Sequence, residues 1–466
     1  MNFSNLLYSE NTKNVHFIGI GGSSMSGLAE ILLSQGYSVS GSDIKSSKAT
    51  QKLEGKGAQI YIGHSADNIN SPDLVVYTVA VKEENPEMLR SRELNIPVID
   101  RAELLGLIMK RHSFGIAVSG THGKTTTTSM ITTIMLEAGT DPTAHIGGEL
   151  DCIGGNTRIG NSEYFITEAC EYYGSFLKFY PFMAVILNVE VDHVDYFRDL
   201  QHIKDTFSKF VSLVPQNGYI IACADDENTM SIINDKHCNK VTYGLKNPES
   251  MWTAKNIVYN ELGCASFDVF REGEELASVS LSVPGPHNVS NALAAIAASY
   301  TCGCSMESIV SGLMKFGGSH KRFELKGLVD GIKVIDDYAH HPSEVKATLN
   351  AAANTNHNKV WCVFQPHTYT RTKAFIDQFS SSFENADNII VTDIYAAREK
   401  DPGDIHSSTL AEKIRQRGGN AIYIGDFQEI AQYLDKNAQS GDLILTMGAG
   451  DIVRCGEMFL NIRANK

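Results

Sequence analysis

The amino-acid sequence predicts an α/β protein of three domains, and three observations lead there. With 466 residues the chain exceeds what one hydrophobic core supports. Short apolar runs alternate with stretches of helical periodicity along most of its length, the pattern of parallel strands joined by crossover helices. Two strand-to-helix junctions, at 19–27 and 120–123, are rich in glycine, as backbone that approaches a ligand closely requires. Breaks in the alternation put the domains at 1–110, 111–324 and 325–466.

In the first domain, Val15-His-Phe-Ile-Gly-Ile20 reads as a strand entering a glycine turn. A helix over 28–35 and a strand over 37–40 complete a βαβ unit. Strands at 58–62, 74–78 and 97–99 extend the parallel pattern. In the second domain a strand at 114–118 leads through 120–123 to a helical pattern over 130–136. Buried strands follow at 164–166, 184–187, 218–223 and 241–243. Alternation at 265–270 and 277–282 predicts an antiparallel hairpin, and an Ala-rich helix runs on to Tyr300. The third domain carries strands at 333–335, 360–364, 388–392 and 442–445. Neither a short-period repeat nor a low-complexity linker interrupts the series.

Composition narrows the function. Hydrophobic residues make up 42% and charged residues 20%, as in an ordinary globular protein. A net charge of −14 argues against nucleic acid, whose phosphates demand an excess of Lys and Arg. The nine cysteines show no CxxC pair or zinc spacing and read as reduced thiols of a cytoplasmic protein. Met1-Asn-Phe-Ser-Asn-Leu-Leu7 lacks the basic and apolar regions of a signal peptide. No segment approaches the roughly 18 apolar residues of a membrane span, so no membrane partner is expected.

The most informative stretch is Val118-Ser-Gly120-Thr121-His122-Gly123-Lys124-Thr125-Thr126. Strand, glycine turn and helix start turn backbone N–H groups inward as a phosphate cradle. Lys124 then reaches terminal phosphates and the Thr125 hydroxyl suits Mg2+. Val118 occupies the place where the strict phosphate-loop pattern has glycine, so the loop is a shortened form. Nucleoside triphosphate binding is the expectation. The earlier cluster, Gly19, Gly21 and Gly22 with Ser23, puts Ser24 where a dinucleotide fingerprint has its third glycine, and Asp43 follows about 20 residues on. A nicotinamide cofactor, a nucleotide-sugar diphosphate and simple tight packing all fit that spacing.

Further along, Glu168 just past a strand suits a Mg2+ ligand. Glu190, Asp192, His193 and Asp195 form either a solvated loop or a second metal position, with His193 as its candidate ligand. Lys321–Arg322 is either a surface pair or a brace for a transferring phosphoryl group. His340–His341 lacks the further ligands that zinc needs, so an anionic or acyl substrate fits better. His367, Arg371 and Lys373 follow a strand, where α/β sheets bind ligands, although a polar loop would look the same.

These blocks resemble the Mur ligases, the ATP-dependent amide-forming enzymes of bacterial cell-wall synthesis. Eight carry the resemblance in family order: GIGGSSMSGLAE at the N-terminal glycine turn, GTHGKTTTT, TEACEYYGSFL, LNVEVDHVDYF, PGPHNVSNALAA, KRFELKG, DDYAHHPSEV and FQPHTYTRT. The resemblance implies a Rossmann-like N-terminal domain for a UDP-sugar, a central P-loop ATPase-type domain, and a C-terminal Rossmann-like domain for the amino acid. Within the family it points to the branch that joins L-alanine to UDP-N-acetylmuramate, using ATP and Mg2+, as a monomer or homodimer. Lys124 and the 120–126 backbone would hold the ATP phosphates, Thr125 and Glu168 one Mg2+, and His193 a second. His287, Asn288 and Asn291 would lie on the adenine side, with Arg322 and Asp337 closing from the third domain. His340, His367 and Arg371 would surround the muramoyl carboxylate and the amino acid. Gly19, Gly21, Gly22, Ser23, Ser24 and Asp43 would meet the UDP moiety.

Two departures stand out. Many relatives carry Arg after the histidine of the FQPH block, where this chain has Thr368, which removes one charge contact to substrate. Sister ligases use a carbamylated lysine after the DH motif, whereas Thr206-Phe-Ser208 has none and Lys209 lies beside it. A recycling ligase that attaches a whole tripeptide shares most of these motifs. Folylpolyglutamate synthase shares only the ATPase core. A dehydrogenase would leave the phosphate loop without a role, and a nucleotide switch would have no use for the HHP and FQPH blocks.

Overall fold

The computed structural model describes Leu7 and residues 12–465, so the Met1–Leu6 part of the signal-peptide reading lies outside the described residues. Three sheets follow one another along the chain. The first is wholly parallel, in the order Gln59–Ile62, Ser38–Asp43, Asn14–Ile18, Leu74–Tyr77, Val98–Asp100. Strand order reverses beside Asn14–Ile18, and such a reversal opens a crevice at the strand C-termini. The glycine turn opens there into the helix Ser23–Ser34, five residues earlier than periodicity predicts. Gly22 serves as N-cap, and Met25, Leu28, Ile31 and Leu32 are buried. Packing overrides the weak helix propensity of the Ser/Gly run.

The second sheet has ten strands. Phe114–Ser119 lies between Met183–Ile186 and Tyr164–Glu168, all parallel and almost wholly buried. Doubly covered parallel strands read as unbroken apolar runs, which is why they were visible in the sequence. Helix Lys124–Glu137 follows the central strand although its first turns are nearly all threonine. The Thr128, Thr132 and Thr133 hydroxyls donate to the carbonyls of Lys124, Thr128 and Ser129, which pairs those hydroxyls within the helix, whereas the buried Thr127 hydroxyl has no partner among the described residues. The antiparallel region has three strands, Trp252–Tyr259, Cys264–Arg271 and Glu274–Pro284, one more than the predicted hairpin. Thr143–Leu150 and Gly155–Arg158 were also not foreseen, because glycines interrupt their alternation.

The third sheet runs Glu324–Val329, Ile332–Asp337, Leu443–Met447, Val360–Phe364, Asn388–Val391, Ala421–Tyr423, with only the first strand antiparallel. The C-terminal ends of Ile332–Asp337 and Val360–Phe364 deliver the HHP and FQPH blocks toward the central sheet. All nine cysteines are free thiols. Among the described residues no helix is long and apolar enough to cross a membrane.

Candidate active site

The phosphate loop is held by its neighbours before any ligand is considered. Gly123 has φ +85°, and a Cβ there would stand 2.6 Å from Asn291 Oδ1, so both conformation and space require glycine. The Asn188 side chain accepts from the His122 N–H at 2.8 Å and donates to the His122 carbonyl at 3.2 Å. Lys124 curls under the loop, donating from Nζ to the Gly120 carbonyl at 2.5 Å, the Thr121 carbonyl at 3.1 Å and Glu171 at 3.1 Å. Burial lowers its pKa, but the Glu171 carboxylate prevails and pushes the ammonium up to about 12. Lys124 is therefore a permanent positive charge at the end of the central strand.

Two carboxylates link this charge to the third domain. Glu171 Oε2 pairs with Lys124 at 3.1 Å and its Oε1 stands 3.7 Å from His193 Nε2. Asp192 Oδ2 lies 3.9 Å from the same His193 nitrogen, and its Oδ1 accepts from Arg371 Nε and Nη2 at 3.1 and 2.9 Å. His193 stacks on Tyr172 at 4.4 Å, and burial lowers its pKa, which leaves a lone pair for a metal or a proton. The Arg371 expected at the substrate is thus braced on Asp192, with Nη1 3.2 Å from His367 Nδ1.

A second charge cluster joins the loop to helix Pro342–Ala353. His122 lies 3.2 Å from Glu344 through Nδ1 and 3.6 Å from Glu190 through Nε2. Burial opposes its charge, but the two carboxylates raise its pKa to about 9, and the imidazolium in turn holds Glu190 down at about 2. Among the described residues, His122, Glu190 and His341 are the one group of His, Cys, Asp and Glu with donor atoms all within 4.8 Å. His341 has both nitrogens engaged, Nε2 with the Val191 carbonyl at 3.2 Å and Nδ1 with the Ser343 N–H at 3.4 Å. With a cationic His122 beside it, the group is an ion-pair cluster rather than a metal centre.

This cluster predicts a pH effect. A pKa raised from the unfolded 6.5 toward 9 contributes stability that is complete below 6.5 and is lost as pH rises through 9. Wild-type stability should therefore decline over that interval, and His122→Gln should lack the decline. Parallel curves for the two proteins from pH 6 to 10 would refute the assignment.

Three cavities surround these groups. One of about 250 Å³ lies between the second and third domains. It brings together His122, Gly123, Thr126, His287, Asn288, Asn291, Arg322 and Asp337 of the expected nucleotide residues. Burial lowers the His287 pKa to about 4. Asn288 donates to the Pro284 carbonyl at 2.7 Å and Asn291 donates to Asn288 Oδ1 at 3.0 Å, which fixes both amides. Arg322 lies over the Tyr338 ring at 5.4 Å. Asp337 accepts from the Phe323 and Ala339 N–H groups at 2.7 and 2.8 Å and so shapes the turn. Gly120, Lys124 and Thr125 do not line this cavity; Lys124 faces Glu171 instead.

A cleft of about 790 Å³ opens where the three domains meet, lined by His193, His340, His367 and Arg371, with Tyr172 and Tyr173 on one side and Val79 and Val81 on another. Burial lowers the pKa of both His340 and His367, the latter to about 3. The third cavity, about 650 Å³, sits at the crevice of the first sheet, lined by Gly19, Gly22, Asp43, His64 and Thr78. It meets the cleft at Val81. Asp43 accepts from the Gly21 N–H at 2.9 Å and holds the glycine turn. Ser23 and Ser24 turn to the central domain instead: Asn156 donates to Ser23 Oγ at 2.9 Å, and Ser24 Oγ lies 2.7 Å from His145 and 3.0 Å from Arg101.

The expected Mg2+ ligands fit a hard cation. Glu168 Oε1 accepts from the Gly147 N–H at 2.6 Å, and a Cβ on Gly147 would stand 2.7 Å from Oε2, so glycine keeps the space at that carboxylate clear. Carboxylate and hydroxyl oxygens of Glu168 and Thr125 are the donors Mg2+ prefers.

Several residues escaped sequence reasoning. Glu344 caps its helix and faces His122, His340 and Arg322, and its only local signal was a carboxylate two residues after Pro342. Glu171 and Asn188 lie inside quoted blocks without an assigned role. His64 is held by the wholly buried Glu87 at 3.0 Å and had no motif around it.

Comparison with known proteins agrees across the chain. The family models described as Mur ligase family, catalytic domain, Mur ligase middle domain, and Mur ligase, glutamate ligase domain match residues 14–113, 118–299 and 321–450. The chain is 62% identical to the UDP-N-acetylmuramate–L-alanine ligase of Acetivibrio thermocellus over 448 residues, 96% of each chain. It is 55% identical to the enzyme of that name from Clostridium perfringens, covering 97% of this chain and 99% of that one. Among solved structures, the UDP-N-acetylmuramate–alanine ligase of Thermotoga maritima superposes with TM-score 0.81 at 30% identity, over 97% of this chain and all of that one. A murein peptide ligase from Psychrobacter arcticus gives TM-score 0.71 at 26% identity, over 97% of this chain and 99% of that one.

Proposed function

The chain belongs to the Mur ligase family, and from that premise we propose that it joins L-alanine to the carboxylate of UDP-N-acetylmuramate at the expense of ATP, a step of peptidoglycan precursor synthesis. The observation that carries the reading is the relay Lys124–Glu171–His193–Asp192–Arg371. It runs from the phosphate loop to the cleft of the third domain, so the nucleotide end and the acceptor end share one charge network.

A carboxylate is a poor electrophile, and phosphorylation gives it phosphate as leaving group. A carboxylate oxygen attacks the γ-phosphorus of ATP and ADP departs. The alanine amine then attacks the acyl carbon, and the tetrahedral intermediate expels phosphate. Lys124 neutralises charge on the transferring group. Arg322 and Asp337 close the nucleotide cavity from the third domain, while His340 and His367, kept neutral by burial, present lone pairs that can accept hydrogen bonds from the incoming amine. Mg2+ held by Thr125 and Glu168, with a second ion at His193, would screen the phosphate charges. The UDP moiety would occupy the crevice at Gly19, Gly21, Gly22 and Asp43, with the sugar reaching His367 and Arg371 past Val81. Domain limits of 1–110, 111–324 and 325–466, a cytoplasmic location, and a monomeric or dimeric state complete the proposal.

The test is phosphate release from ATP with UDP-N-acetylmuramate and Mg2+, with L-alanine or the tripeptide added in parallel. Release with alanine, together with the UDP-muramoyl-alanine mass, is expected, and chelation of Mg2+ should abolish it. Release with tripeptide alone would assign the protein to the recycling branch.

A further inference from the structure

The cleft holds one cation to which neither the motifs nor the relay give a role. Arg398 lies on the loop after strand Asn388–Val391 and is exposed on the cleft wall. Among the described residues its side chain makes no hydrogen bond or ion pair. The loop that carries it is nonetheless fixed. Tyr395 donates to the Pro366 carbonyl at 2.8 Å and accepts from the Thr368 N–H at 2.9 Å. Glu399 accepts from the Thr370 N–H at 3.0 Å and also from its hydroxyl. Between these two clamps the turn closes through Glu399 N–H to the Ala396 carbonyl at 2.9 Å. Ala397, inside that turn, holds φ +51°, a conformation that non-glycine residues adopt only where the surroundings impose it. The clamped turn thus holds Arg398 on the wall of the cleft that Thr368 and Thr370 also line.

From these contacts we infer that Arg398 receives the free α-carboxylate of the incoming amino acid and so selects a single amino acid over a peptide. The inference rests on the ligase function proposed above. A free amino acid brings a carboxylate into the cleft and needs a cation to meet it. Arg371 is engaged with Asp192, and His340 and His367 are kept neutral by burial. A guanidinium without a protein partner and open to the cleft suits that carboxylate in bidentate geometry. A tripeptide acceptor has an amide where alanine has this carboxylate, so Arg398 has nothing to pair with at that position.

The experiment compares wild type, Arg398→Ala and Arg398→Lys with L-alanine and with L-alaninamide, which lacks the carboxylate. Loss of a charge-assisted pair should raise the KM for alanine roughly 10- to 100-fold in Arg398→Ala, with KM for ATP and for the UDP-sugar unchanged. Wild type should prefer alanine strongly over alaninamide, Arg398→Ala should treat them alike, and Arg398→Lys should fall between. An unchanged KM for alanine in Arg398→Ala, a retained preference over alaninamide, or a rise confined to the UDP-sugar would overturn the assignment. Failure of wild type to ligate alanine at all would instead remove the function on which it rests.

Discussion

Lys124→Ala should lower turnover by roughly 10²- to 10³-fold, the usual cost of deleting one preorganised charge at a transferring group. Its ammonium is pushed up to about 12, so it carries full charge at every working pH and no shift of pH substitutes for it. The substitution also leaves Glu171, only 3% exposed, without its main counter-ion. Lys124→Met, which keeps the stem, separates packing from charge, and both variants should fail alike in phosphate release. Turnover near wild type in either would remove Lys124 from the chemistry.

Asp192→Ala should destabilise the junction of the second and third domains by about 3–5 kcal/mol, because it strands a buried guanidinium. Asp192 and Arg371 are 6% and 8% exposed, and no other carboxylate bonds to Arg371 among the described residues. The exposed pair Lys373–Asp404 in the same domain gives the contrast, since Asp404→Ala should cost about 1 kcal/mol or less. Arg371 holds the Asp192 carboxylate below the ordinary range despite burial. The stability it contributes is therefore complete above the unfolded pKa of about 3.9 and is lost as pH falls below it. Wild type should accordingly lose its advantage over Asp192→Asn below about pH 4. Equal shifts in unfolding midpoint for Asp192→Ala and Asp404→Ala would contradict this account.

The parts of the site legible in the sequence are those whose chemistry is local. The phosphate loop, the Asp192–His193 pair and the FQPH block each announce themselves within a few residues after a buried apolar strand. What escaped depends on partners far apart in the chain: His122 meets Glu344 across 222 positions and Asp192 meets Arg371 across 179. The same holds for secondary structure. Doubly buried strands such as Phe114–Ser119 read directly, whereas Thr143–Leu150 and the early start of the helix at Ser23 depend on packing that overrides local preference. Arg398 had no motif at all; only the clamps on its loop hold it on the cleft wall.

Activation of the muramoyl carboxylate as an acyl phosphate leaves an isotopic signature. UDP-N-acetylmuramate labelled with 18O in that carboxylate, turned over with ATP, Mg2+ and L-alanine, tests it directly. One labelled oxygen is expected in each phosphate released from doubly labelled substrate, with the other retained in the amide product. Unlabelled phosphate, with product formed, would contradict it.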